Sequence, residues 1–281
     1  MLVIAALALN VDSMVEDIFD LKKKNVIITG GLGLLGLNFT KALLSRGAVV
    51  CVIDILEETM ARNIFEKEIT AEDLKRVFYF CCDITNKDQL CVIRDAITKK
   101  IKNIDVLINN AALNPKVENS QLSSSKNLFE DLELSSWDKE LSVNLTGTML
   151  CCQVFGSIMK SGSSIINVAS IYGVVGPDQS IYADNFVKPI AYSASKGGVI
   201  ALTKYLSTYW GKKNIRVNCM VLGGVENNQD KKFIVRYSTR VPLGRLAQPE
   251  EYNGILIYLA SDAASYSTGS IYVVDGGWTA W

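Results

Sequence analysis

The sequence predicts an α/β protein, one doubly wound parallel sheet with helices on both faces. Three observations carry this. Short, wholly apolar, β-branched runs recur along the chain, which is how strands read when both faces of a sheet are covered. Stretches of helical length separate them. The alternation then continues without a break in composition through 281 residues, so one domain is expected rather than two.

The elements follow in order. "NVIITG" (25–30) is a β-branched run ending in glycine, and "NFTKALLSRG" (38–47) closes an apolar helical pattern. "AVVCVID" (48–54) reads as a second strand, 57–75 as a charged helix, and "VFYFCCD" (77–83) as a third strand. The helix "TNKDQLCVIRDAITKK" (85–100) precedes the strand "IDVLINNAA" (104–112). A polar loop, 114–126, leads to a long helix, "SWDKELSVNLTGTMLCCQVFGSIM" (136–159). "SSIINVAS" (163–170) is a strand, the segment holding Tyr192 and Tyr209 a helix, and "NIRVNCMVL" (214–222) a strand. "PEEYNGILIYLAS" (249–261) and "SIYVVDGG" (270–277) complete the alternation. Residues 1–20 read as an extension and lead-in, with Met14 a second plausible start, and 21–281 as the domain. Leu2–Leu9 is apolar but too short to span a bilayer, and it lacks the basic flank of an export signal. A cytoplasmic location is expected.

Composition narrows the chemistry. Lys+Arg and Asp+Glu balance at 29 each, which removes any global electrostatic argument for nucleic acid or an anionic membrane as partner. There are no histidines, so a Ser-His-Asp triad, a Cys-His pair and every His-ligated metal site are excluded. No metal is expected, and a general acid or base must be Tyr, Lys, Asp, Glu or Cys. The seven cysteines have no C-x-x-C spacing and read as reduced, buried, small hydrophobes.

"ITGGLGLLG" lies between the first strand and the first helix, where bare backbone N–H groups can approach a pyrophosphate. Gly30, Gly31, Gly33 and Gly36 supply the turn. Asp54 ends the second strand, where an acidic side chain binds ribose hydroxyls and repels a 2′-phosphate. NAD is therefore expected over NADP. Asp83 and Asn109–Asn110 end the third and fourth strands, the edge where such sheets bind ligands. Tyr192 and Lys196 in "YSASK" lie four apart and share a helix face. Tyr209 and Lys213 repeat that spacing, but Gly211 and the following strand put them at a helix end, a structural pair.

Taken together, "TGGLGLLG", "CCDIT", "NNAA", "SVNLTG", "INVAS", "YSASK", "NIRVN" and "VDGG" resemble the single-domain branch of the short-chain dehydrogenase/reductase family, from Asn25 onward. The resemblance implies a Rossmann-type fold and a catalytic group of Asn144, Ser170, Tyr192 and Lys196. It implies a dinucleotide held along Gly30, Gly31, Gly33, Leu34, Leu35, Asp54, Asp83, Ile84, Asn110, Ala111, Ala112, Gly223 and Val225, with Tyr192 and Lys196 at its nicotinamide end. In those roles a phenol of lowered pKa moves the proton, and Lys196 supplies positive charge. Ser170 orients the reacting oxygen, and Asn144 fixes a water on the way to solvent. Three departures stand out. Leu34 occupies a usual glycine position, Leu222-Gly223-Gly224 replaces Pro-Gly, and about 171–190 forms an insertion between Ser170 and Tyr192.

Tyr182, Asp184 and Asn185 in that insertion suit a polyhydroxylated substrate. With "YSTRVPLGRLAQPEE" and "DGGW", it resembles the subgroup of bacterial flagellin modification and surface-polysaccharide biosynthesis, which implies a sugar or sugar phosphate. Alternatives are a 3-oxoacyl-type or other small-ketone reductase, a nucleotide-sugar epimerase or dehydratase, and a non-catalytic nucleotide-binding regulator. Assembly as a homodimer or homotetramer is implied by the family. Arg245 is read as anchoring the C-terminal region.

Overall fold

The computed structural model describes residues 17–114, 128–182 and 186–281. Asp184 and Asn185, expected at the substrate, lie outside them. Seven strands form one parallel sheet: β1 (Asn25–Thr29), β2 (Val49–Asp54), β3 (Val77–Cys81), β4 (Val106–Asn109), β5 (Ser164–Ser170), β6 (Arg216–Leu222) and β7 (Ile271–Val274). Their order is β3-β2-β1-β4-β5-β6-β7. The chain runs outward one way from β1 to β3, then returns and runs the other way from β4. The switch therefore lies between β1 and β4, where a crevice opens at the carboxyl ends.

The helices are α1 (Leu34–Ser45), α2 (Glu58–Glu68), α3 (Lys87–Lys100), α4 (Leu134–Leu141), α5 (Thr148–Gly156), α6 (Ile190–Gly211), α7 (Lys231–Ser238) and α8 (Asn253–Ala260). Alternation along β1 sorts the core. Val26 and Ile28 point to one face and pack with Phe39 and Leu43 of α1 and Leu256 and Leu259 of α8. Ile27 points to the other, with Leu90 and Ile97 of α3, Phe155 of α5, and Leu206 and Trp210 of α6. Both faces are thus dry, which is why the strands read as unbroken apolar runs.

Two expected helices are interrupted. The charged one stops at Glu68, and a separate short turn follows at Asp73–Arg76, where Thr70 Oγ1 accepts a hydrogen bond from the Asp73 N–H. The long one expected over 136–159 is α4 and α5 joined by a π-helical stretch, Ser142–Gly147. Asn144 lies in that stretch, fully buried. Widened turns of this kind gather at functional sites.

Candidate active site

A cleft of about 1030 Å³ runs along the carboxyl edge of the sheet, from the turn after β1 to the segment before α6. Gly30, Gly33, Leu34, Leu35, Asp54, Asp83, Ile84, Asn110, Ala111, Ala112, Gly223 and Val225 all line it. Gly31 does not: a Cβ there would meet Val52 at 2.7 Å, so it packs against the sheet instead. Gly36 lets α1 approach the turn, since a Cβ there would stand 1.9 Å from the Gly30 carbonyl. That contact brings the helix N-terminus to the crevice with its N–H groups outward. Leu34, where a glycine was expected, becomes the first residue of α1 and is exposed.

Other strand ends tie the cleft together. The Asp54 carboxylate accepts from the Leu32 N–H at 3.0 Å and from its neighbour Ile55 at 2.8 Å. It is thereby held at the mouth, beside the glycine turn. Asn110 donates through its amide to the Thr29 and Gly30 carbonyls at 3.2 and 3.0 Å, joining the end of β4 to the same turn. Asp83 accepts from the Thr85 N–H and hydroxyl.

The four residues expected to act on substrate divide into three and one. Ser170, Tyr192 and Lys196 line the cleft and are all nearly buried. Lys196 lies one turn beyond Tyr192 on α6, its Nζ 5.8 Å from the phenol ring centre, and donates to the Val168 carbonyl at 2.9 Å. Burial pulls the Lys196 ammonium down to about 8. Burial also pushes the Tyr192 phenol above its ordinary value, partly offset by the nearby Ser170 hydroxyl and reinforced by the Glu140 carboxylate. The expected lowering is therefore not present in the protein alone, because desolvation outweighs the effect of the Ser170 hydroxyl.

Asn144 sits behind this wall rather than in it. Its Oδ1 accepts from the Leu113 N–H at 2.7 Å, and its Nδ2 donates to the Leu113 carbonyl at 3.0 Å and to Ser195 Oγ at 3.2 Å. Ser195 in turn donates to the Tyr192 carbonyl at 2.8 Å. The side chain expected to fix a water also ties the exit of β4 to α6.

The insertion contributes more than sequence reasoning found. Tyr172 was missed; its hydroxyl lies 2.8 Å from that of Tyr182, and both line the cleft. Tyr182 stacks on Phe233 of α7, and its carbonyl accepts from Arg236 at 2.9 Å. Asp178 pairs with Arg240 at 3.1 Å. Lys188 was missed too: it is buried and its Nζ lies 4.3 Å from the Tyr192 ring centre. A lysine set in the apolar run "FVKPIA" was the available signal. Tyr209 is 62% exposed and stacks on Tyr205 near the end of α6, with Lys213 beyond it, away from the cleft. Arg245 makes a two-pronged pair with Glu251 at 2.5 and 2.7 Å, ahead of α8.

Known proteins share this fold. Residues 34–279 match a family model described as enoyl-(acyl carrier protein) reductase. The chain is 32% identical to a 3-oxoacyl-[acyl-carrier-protein] reductase of Thermotoga maritima, over 92% of this chain and 98% of that one. It is 31% identical to a D-threitol dehydrogenase of Mycolicibacterium smegmatis, over 93% and 95% respectively. It covers 90% of its own length but only 43% of a longer uncharacterized short-chain type dehydrogenase/reductase of Sinorhizobium fredii. A crystal structure of a Leptospira borgpetersenii short chain dehydrogenase with bound NAD+ superposes with a TM-score of 0.80 at 31% identity, covering 93% of this chain and 95% of that one. The chain belongs to the short-chain dehydrogenase/reductase family and is an NAD(P)-dependent oxidoreductase of alcohols and ketones.

Proposed function

We propose that the substrate is a polyhydroxylated secondary alcohol or its ketone, that NAD is used in preference to NADP, and that Ser170, Tyr192 and Lys196 carry the proton chemistry. The observation that carries this reading is the buried wall formed by those three side chains at the end of β5 and the start of α6. The cleft fits a dinucleotide: the turn at Gly30–Gly36 offers bare backbone at a helix N-terminus, and Asp54 waits at the end of β2. When bound, the nicotinamide supplies the hydride acceptor or donor. Tyr192 takes the hydroxyl proton in oxidation and returns it in reduction. Lys196, one turn away, lowers the phenol toward the working range by its charge. Ser170 holds the reacting oxygen against the phenol. Asn144 positions: it fixes the Leu113 loop and, through Ser195, the first turn of α6.

NAD preference is supported by the Asp54 carboxylate, which repels a 2′-phosphate, and by the NAD+ held in the Leptospira relative. The polyol reading is supported by the paired phenols Tyr172 and Tyr182 in the cleft and by the D-threitol dehydrogenase among the relatives. It includes the surface-glycan sugars that the motifs of the inserted segment resemble. Assembly into a dimer or tetramer belongs to the same proposal, with exposed Met149 of α5 and Tyr205 and Tyr209 of α6 offering an apolar face.

A panel of polyols, sugars, sugar phosphates, steroids and acyl thioesters, assayed with NAD(H) and NADP(H), tests the reading. Turnover of a polyol or sugar with NAD is expected, and Tyr192→Phe should lower it by about 10²–10⁴-fold while leaving NADH fluorescence binding intact. Turnover confined to a steroid or thioester overturns the substrate class. A Tyr192→Phe enzyme that keeps its rate overturns the proton carrier.

A further inference from the structure

Lys188 brings a second buried ammonium to the cleft, in addition to Lys196. It is 7% exposed, lines the cleft, and holds its Nζ 4.3 Å from the centre of the Tyr192 ring. Its backbone is gripped on both sides by one side chain: Gln179 Oε1 accepts from the Lys188 N–H at 3.0 Å, and Gln179 Nε2 donates to the Lys188 carbonyl at 3.4 Å. Pro189 then fixes the chain direction into α6. The side chain is thus set in place from the insertion, not carried on the helix.

What the ammonium lacks, among the described residues, is an ion-pair partner. Among the described residues its one hydrogen-bond acceptor is the neutral Asn114 Oδ1. The Glu140 carboxyl acts on it electrostatically but closes no ion pair, and Glu140 Oε2 is itself buried without a partner. Burial accordingly pulls the Lys188 ammonium down to about 8. Buried lysines are ordinarily paired, and an unpaired one facing a cleft is matched when an anion arrives. One ammonium balances one negative charge, which favours a carboxylate over a phosphate dianion.

We infer that Lys188, with Asn114, is a specificity determinant that receives a carboxylate of the substrate beside Tyr192, so that the preferred substrates are hydroxy acids of the polyol type. This rests on the polyol reading of the cleft and narrows it. Because Lys188 lies against the ring that bears the reacting phenol, the carboxylate belongs on a carbon close to the one that changes oxidation state. No bond to Lys188 forms or breaks; its contribution is binding and orientation.

Calorimetric titration of D-threonate, D-threitol and threitol phosphate into the enzyme–NADH complex, which cannot turn over an alcohol, tests this directly. Wild type should bind threonate about 10–100-fold more tightly than threitol, the range of one hydrogen bond to a charged group. Lys188→Met should erase that preference, Lys188→Arg should retain most of it, and NADH fluorescence should show both variants folded. No preference in wild type, or a preference that survives Lys188→Met, overturns the inference. Tighter binding of the phosphate ester than of the acid overturns the carboxylate assignment. A loss of kcat on every substrate with the binding preference intact would mean that Lys188 acts through Tyr192, and overturns it too. Oxidation of threitol without any carboxylate preference sinks this inference alone, whereas Lys188-dependent threonate binding without any polyol turnover sinks the function reading alone.

Discussion

Tyr192 and Lys196 are perturbed in opposite senses by the same cause. Burial disfavours whichever form is charged, so the phenol rises above its ordinary value while the ammonium falls to about 8. In the proposed mechanism oxidation needs the phenol deprotonated, and opposite charges favour each other, so a protonated Lys196 would work against the burial that raises the phenol. Alcohol oxidation should therefore climb as pH rises from neutral. In Lys196→Met the phenol loses its cation, and the climb should move upward by about 1–3 pH units, read from kcat/KM against pH. An unmoved profile would detach Lys196 from the phenol. This pair was legible in the sequence because a helix places residues four apart on one face. Its electrostatics were not, since burial is a property of everything packed around it.

At the scale of elements, the joint between β5 and α6 decides the geometry. Gly173, in the turn after Ser170, lies so close to α6 that a Cβ would stand 2.6 Å from the Lys196 carbonyl carbon and 2.8 Å from the Gly197 nitrogen. Backbone meets backbone there, and neither side can yield as a flexible side chain would. Gly173→Ala should cost about 1–3 kcal/mol of stability in denaturant unfolding and lower kcat more than it weakens NADH binding, because it pushes Ser170 and Lys196 apart. A variant with wild-type stability and rate would show that the joint has slack. The glycine turn and the strand ends were readable locally, as were Ser170 and Tyr192. The break in the helix around Asn144 was not, because the backbone that Asn144 binds there is that of Leu113, 31 residues away in the chain.

Across the whole molecule, the cysteines report on how the layers close. All seven are free. Cys51 in β2, Cys151 and Cys152 in α5, and Cys219 in β6 are buried between sheet and helices, as is Cys82 just after β3; burial pushes Cys51, Cys152 and Cys219 up to about 12 and Cys82 to about 11. Cys81 departs from the expectation of buried thiols: it ends β3, the edge strand, and is exposed. Iodoacetamide on the native protein, followed by peptide mass spectrometry, should label Cys81 first and leave the five buried thiols unmodified until denaturant is added. Early labelling of Cys51 or Cys219 would mean that the sheet opens in the native state.

The parallel sheet, the switch-point crevice, and the residues that strand ends and one helix turn deliver to it were legible in the chain. Those follow from local periodicity and chain order, which any stretch of sequence carries within itself. That Gly31 packs on the sheet while its neighbours line the cleft came from packing alone. Packing likewise set Asn144 behind the wall and brought Tyr172 and Lys188 to the cleft beside Tyr182, which the sequence had already named. Those placements depend on contacts between segments far apart in the chain, and on the desolvation they impose. A lysine that reads as an ordinary charge in "FVKPIA" becomes, once packed against Tyr192 without an ion-pair partner among the described residues, the residue we infer to choose the substrate.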